Sequence, residues 1–183
     1  MKKITQSIIF LLLPFLSFSQ SKDFIVSKNL DTIYGKVYNI VNLDSVKIKQ
    51  KNKKFYVNHD SILNIHTKSW DGRWMVFEPV ESPFYYDKEG QTTMLLLEVQ
   101  GKINIYNSGH ERGFILYIKK GDSKITDLAF NNLFGSKMTN KTYDILAENV
   151  SDDSNIFEEL KKMKRNKKEM IELIKKYNSR NEY

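Results

Sequence analysis

The sequence predicts an α+β fold: an N-terminal antiparallel sheet, twisted or barrel-like, followed by a C-terminal cluster of short helices. Three observations carry that expectation. From Asp23 to about Leu128, apolar residues alternate with polar ones in segments rich in β-branched and aromatic side chains. After Leu128 the apolar spacing changes to three and four. The first nineteen residues fit neither pattern and read as a leader that is removed from the fold.

In that leader, Lys2 and Lys3 form a basic head, and Ile8 to Phe18 run almost without a polar residue. Ser17-Phe18-Ser19 then places small residues at minus three and minus one of a cut after Ser19. A spanning helix needs roughly 20 apolar residues. This run is shorter and carries Pro14. A cleaved signal peptide at 1–19 is therefore expected rather than an anchor. Export to the periplasm follows, with outer-membrane association or secretion as alternatives.

Phe24-Ile25-Val26, the turn Asn29-Leu30-Asp31 and Thr32 to Tyr38 read as a hairpin, and Gly35 inside its second arm suggests a bulge or a close backbone approach. Ser45 to Gln50 alternates, with Val46 and Ile48 on one face and Lys47 and Lys49 on the other. After the turn Lys51-Asn52-Lys53, Phe55 and Val57 extend the apolar face, and Ile62 and Ile65 add a third strand to a meander with one wet side. Asp71-Gly72 is a turn between Trp70 and Trp74. Trp74 to Glu78 is a strand, and Pro79 and Pro83 bound an irregular stretch. Thr93 to Val99 is nearly all apolar and reads as a strand buried on both faces, although its periodicity alone also fits a helix. Lys102 to Tyr106, Phe114 to Ile118 and a short strand near Lys124-Ile125 complete the β-rich region, 20–128.

The helical region, 129–183, is expected to pack on that sheet within a single domain. Phe130, Leu133, Phe134 and Met138 have helical spacing, as do Tyr143, Ile145, Leu146 and Val150. Asn155 with Glu158, and Asn166 with Glu169, resemble N-caps with capping-box partners. Ile156, Phe157, Leu160 and Met163 form one apolar stripe; Met170, Ile171, Ile174 and Tyr177 form the next.

Composition narrows the function classes. With 40% hydrophobic residues the chain can bury a core, and with no cysteine it has no disulfides, thiol catalysis, thiolate metal site or lipoprotein anchor. The net charge of +7 falls to about +5 once the leader is gone. That excess favours acidic surfaces, and peripheral membrane contact is one use for it. Nucleic acid is not an expected partner, since no nucleic-acid module is recognisable.

Asp23-Phe24-Ile25-Val26 followed by Asp31-Thr32-Ile33-Tyr34-Gly35-Lys36-Val37 resembles the opening of many small exported proteins of Bacteroidetes bacteria. The strand Gly101 to Tyr106, the strand and turn Tyr117 to Asp122, and the ending Ile174 to Asn178 are similar to later segments of the same group. Leu30 departs from it, because glycine is commoner in that turn. The resemblance implies an exported envelope protein, and it assigns no functional residue.

No catalytic residue or cofactor is read from the chain, and no metal site. His59, His66 and His110 lack paired spacing, although His110 beside Glu111 and Arg112 in a glycine-flanked loop could serve as a base. Asp152-Asp153 and Glu158-Glu159 suit the start of a helix. The candidate binding residues are Trp70, Trp74, Tyr85 and Tyr86, whose rings could stack on sugars or anchor a partner protein. The more ordinary use of such rings is to cap one end of the sheet structure. The basic runs Lys47 to Lys54 and Lys161 to Lys168 read as solvated faces. The function expected is a non-enzymatic binding or structural module that meets an envelope protein or glycan. A small hydrolase acting on envelope glycan or peptide is the alternative.

Overall fold

The computed structural model describes residues 22–40, 44–83, 90–109, 115–131 and 137–180. The leader lies outside them. Eight strands form one antiparallel sheet: β1 (Phe24–Ser27), β2 (Thr32–Tyr34), β6 (Ile62–Lys68), β7 (Trp74–Glu81), β8 (Thr92–Val99), β9 (Ile103–Asn107), β10 (Leu116–Lys120) and β11 (Thr126–Leu128). Their order is β11-β10-β9-β8-β7-β6-β1-β2. The sheet ends in two edges and does not close into a barrel. A second sheet joins β3 (Lys36–Tyr38), β4 (Ser45–Gln50) and β5 (Lys53–Asn58). A short ribbon pairs β12 (Phe130–Asn131) with β13 (Lys137–Met138), and the helices α1 (Asn140–Val150), α2 (Ser154–Lys162) and α3 (Lys167–Arg180) follow.

The single meander expected over 45–67 is thus split between two sheets. Gly35 is the dividing point. Tyr34 pairs with Phe24 in the large sheet, while Lys36 pairs with Lys49 in the small one. A Cβ on Gly35 would stand 2.7 Å from the Lys49 carbonyl oxygen and 2.8 Å from Ile48 Cγ1, so only glycine lets the corner form. A 3-10 turn at His59–Ser61 then returns the chain from β5 to β6, which pairs with β1.

Directly opposed residues of an antiparallel pair share a face. One face of the large sheet therefore runs from Ile25 through Ile65, Phe77 and Leu96 to Asn107 and Leu116. Val37, Val46 and Ile48 of the small sheet cover its β1–β6 end. Leu146, Ile156, Leu160, Ile174 and Tyr177 of the helices cover its β9–β11 end. Each layer buries the apolar stripe of the other, which is the main stabilising term of the fold. The opposite face carries Val80, Leu95, Tyr106 and Tyr117 as a third buried cluster, so Thr92–Val99 is indeed buried on both sides.

Four other local expectations change. β7 continues through Pro79 to Glu81 because β6 partners β7 only as far as Phe77, leaving no ladder on that side for the missing N–H to break. Phe130 and Met138 are opposed in a strand ribbon, not helical neighbours; Leu133 and Phe134 lie outside the described residues. The N-cap of α2 is Asp153, whose carboxylate accepts from the Asn155 and Ile156 amides at 3.1 Å. Glu158 and Glu159 lie further along α2 and pair with Lys161 and Lys176. By contrast, Asn166 does accept from the Glu169 amide, at 2.9 Å.

Two polar anchors fix the helices to the sheet. Asn178 of α3 is 3% exposed; its amide accepts from the Ile103 N–H and donates to the carbonyls of Gln100 and Ile103. Gly101 (φ 154) makes room for it, since a Cβ there would overlap the Asn178 side chain. Asp152, between α1 and α2, accepts from Lys102, Lys120 and the Tyr177 hydroxyl at 2.9–3.0 Å. Burial works against its charge, but those bonds prevail and hold its carboxyl well below the usual range.

Removing Asn178 leaves a buried N–H and two carbonyls without partners. Asn178→Ala is expected to lower the unfolding free energy by about 3 kcal/mol in urea titration. Gly35→Ala is expected to cost roughly 1–3 kcal/mol by the same measurement, because the Lys49 backbone must yield.

Candidate functional site

The wet end of the large sheet carries a row of rings. Tyr34, Phe24, His66 and Val76 are directly opposed across β2, β1, β6 and β7, and so share one face. The Phe24 and His66 rings stack at 4.4 Å and 10°. Tyr34 and Trp74 flank Phe24 at 5.8 and 6.1 Å, and the Lys68 ammonium sits 5.2 Å from the Trp74 ring. Tyr34 is 58% exposed and Trp74 45%.

Beyond the row, Trp70 stands 99% exposed on the β6–β7 turn. The turn itself is tightly made. Ser69 and Arg73 close it by a backbone bond, and Gly72 supplies the left-handed residue at φ 83. Asp71 accepts from the Ser69 hydroxyl, the Arg73 amide and the Arg73 guanidinium, which holds its carboxyl down to about 2. An exposed indole on this hydrogen-bonded turn is presented to solvent, not packed. Trp70 therefore does not cap a buried end of the structure, whereas Trp74 is partly covered beside Phe24. Tyr85 and Tyr86 lie outside the described residues, as does the His110 loop. The sequence reading missed Phe24, Tyr34 and His66.

A cleft of about 990 Å³ opens where the two sheets part at Gly35. Lys22, Lys36, Lys49, Lys51 and Lys53 line it together with Tyr34, the outermost ring of the row. Among the described residues the one acid in the wall is Asp23, and its two oxygens accept from the backbone amides of Lys68 and Val37, both at 3.2 Å. Gln50 donates to the Tyr34 carbonyl at 2.7 Å and so ties the two walls together. Tyr34 and the five lysines thus share the wall of the cleft, and among the described residues no histidine lines it.

His59 is only 2% exposed, so its imidazole cannot meet a substrate. Nδ1 lies 3.3 Å from the Thr92 carbonyl, and Nε2 has no hydrogen-bond partner among the described residues. Among the described residues no three histidine or carboxylate side chains gather as a metal site would need. No helix there is long and apolar enough to cross a membrane. The chain matches no protein-family model, no curated protein and no solved structure.

Burial lowers the pKa of both His59 and His66 from 6.5. A depressed histidine leaves the native state less able than the unfolded chain to take up a proton. Stability is then full above about 6.5 and falls as pH drops below it toward the lower folded value. Urea unfolding is expected to show lower stability at pH 5.0 than at pH 7.5 (both chosen above the carboxylate range), with the difference reduced in His59→Leu/His66→Leu.

Proposed function

We propose that this chain is an exported, non-enzymatic envelope protein that binds glycan through its aromatic row. The leader and the resemblance to exported Bacteroidetes proteins support the compartment. The observation that carries the binding reading is the exposure of Tyr34 and Trp74 on one face, with Trp70 beyond them. Burying an aromatic ring is favourable, so rings left in water on a rigid sheet are available for a ligand to cover. Sugar rings present flat C–H faces that suit such stacking. The sheet backbone fixes the spacing of the rings before binding, which reduces the ordering cost of association.

Both tryptophans of the chain lie at or beside this surface, so intrinsic fluorescence reads occupancy directly. Titration with chito-oligosaccharide, cello-oligosaccharide and polygalacturonate is expected to shift the emission with at least one of them. Trp74→Ala and Tyr34→Ala are each expected to weaken that binding roughly ten-fold without unfolding the chain. Silence with all three glycans, or unchanged affinity in both variants, would overturn the reading.

A further inference from the structure

We infer that the cleft beside the aromatic row selects acidic polysaccharide, a chain of sugars bearing carboxylate or sulfate groups. This deepens the glycan reading and rests on it.

The argument begins with a charge asymmetry. In the helical half, Lys102, Lys120, Lys141, Lys161, Lys175 and Lys176 each pair with a carboxylate, while Lys137, Lys162, Lys164, Lys167 and Lys168 have no such pair among the described residues. In the small sheet and its approach, Lys22, Lys36, Lys49, Lys51, Lys53 and Lys54 have no ion-pair partner among the described residues. Their arrangement is also unfavourable. Lys36 faces Lys49 across β3–β4, and Lys49 faces Lys54 across β4–β5, so three like charges stand in one cross-strand row. Directly opposed like charges destabilise a sheet. The neighbouring row is Tyr38, Lys47 and Tyr56, with the Lys36 and Lys47 ammonium groups 5.3 and 6.0 Å from the Tyr38 ring. Apart from those two contacts with the Tyr38 ring, no ion pair among the described residues offsets the repulsion, whereas a bound polyanion would.

Shape and chemistry choose among polyanions. Of the row of three lysines, Lys36 and Lys49 reach the recess, where Lys22, Lys51 and Lys53 join them, and a recess suits a chain of sugars better than a flat bilayer. Tyr34 is in the same wall, so one ligand can meet a ring and ammonium groups together. Adjacent strands lie roughly 4.8 Å apart, close to the length of one sugar unit. A row of lysines at that spacing can meet charges on successive sugars. Among the described residues no arginine lines the cleft, so its wall offers single ammonium groups and not the bidentate fork that favours phosphate backbones.

The test is calorimetric titration of the full chain with polygalacturonate, neutral dextran, single-stranded DNA and vesicles of mixed phosphatidylglycerol and phosphatidylcholine. Polygalacturonate is expected to bind, weaken as salt rises and exceed the other three in affinity. Lys36→Gln/Lys49→Gln is expected to reduce its affinity roughly ten-fold. The same variant is expected to melt no lower than the parent, because the opposed charges are gone. Tighter binding to DNA or vesicles than to polygalacturonate would overturn the inference. So would polygalacturonate binding that survives the lysine substitutions, an outcome that leaves the aromatic reading standing. Binding of dextran as tight as polygalacturonate would likewise remove the charge requirement while keeping the glycan.

Discussion

The architecture of the sheet half depends on the close approach of Gly35 to the backbone of Lys49. A strand that would otherwise continue in one sheet is turned there into a second. Tyr34 is left on the edge of the large sheet and Lys36 is delivered to the small one. Everything in the cleft follows from that corner. Its walls meet at Gly35, where the Lys49 backbone leaves no room for a side chain.

The two halves of the molecule use charge differently. Around the helices, ammonium and carboxylate groups form a cross-linked surface, and Asp152 alone gathers two lysines and a tyrosine hydroxyl. Surface pairs of this kind contribute little singly, and they engage only part of the lysines there: Lys137, Lys162, Lys164, Lys167 and Lys168 have no such pair among the described residues. The small sheet concentrates one sign instead and accepts the cost. A uniform dispersal of lysines for solubility would not oppose them across neighbouring strands.

Local pattern carried much of the fold and little of the site. Alternation marked most strands, and the glycine within Thr32 to Tyr38 was legible as an oddity. Its meaning, a change of sheet, was not, because pairing partners lie far apart along the chain. The same limit hid the aromatic row. Trp74 could be suspected from its turn, but Phe24 and His66 become neighbours only through the β1–β6 register, which joins residues about forty positions apart. The ribbon at Phe130 and Met138 was misread because two-residue strands carry no period of their own. The N-cap moved to Asp153 because its carboxylate reaches two amides, a geometric advantage that spacing alone does not reveal.

Asn178 fills the bonding capacity of a main-chain ledge formed seventy-five residues earlier. Until α3 arrives, Ile103 must keep its amide and carbonyl hydrated, and the β8–β9 connection can close only provisionally. The helix is therefore a late keystone for the order of assembly. A chain halted before it would hold its strands loosely, with apolar surface uncovered along β9 to β11, and would be open to unwanted association.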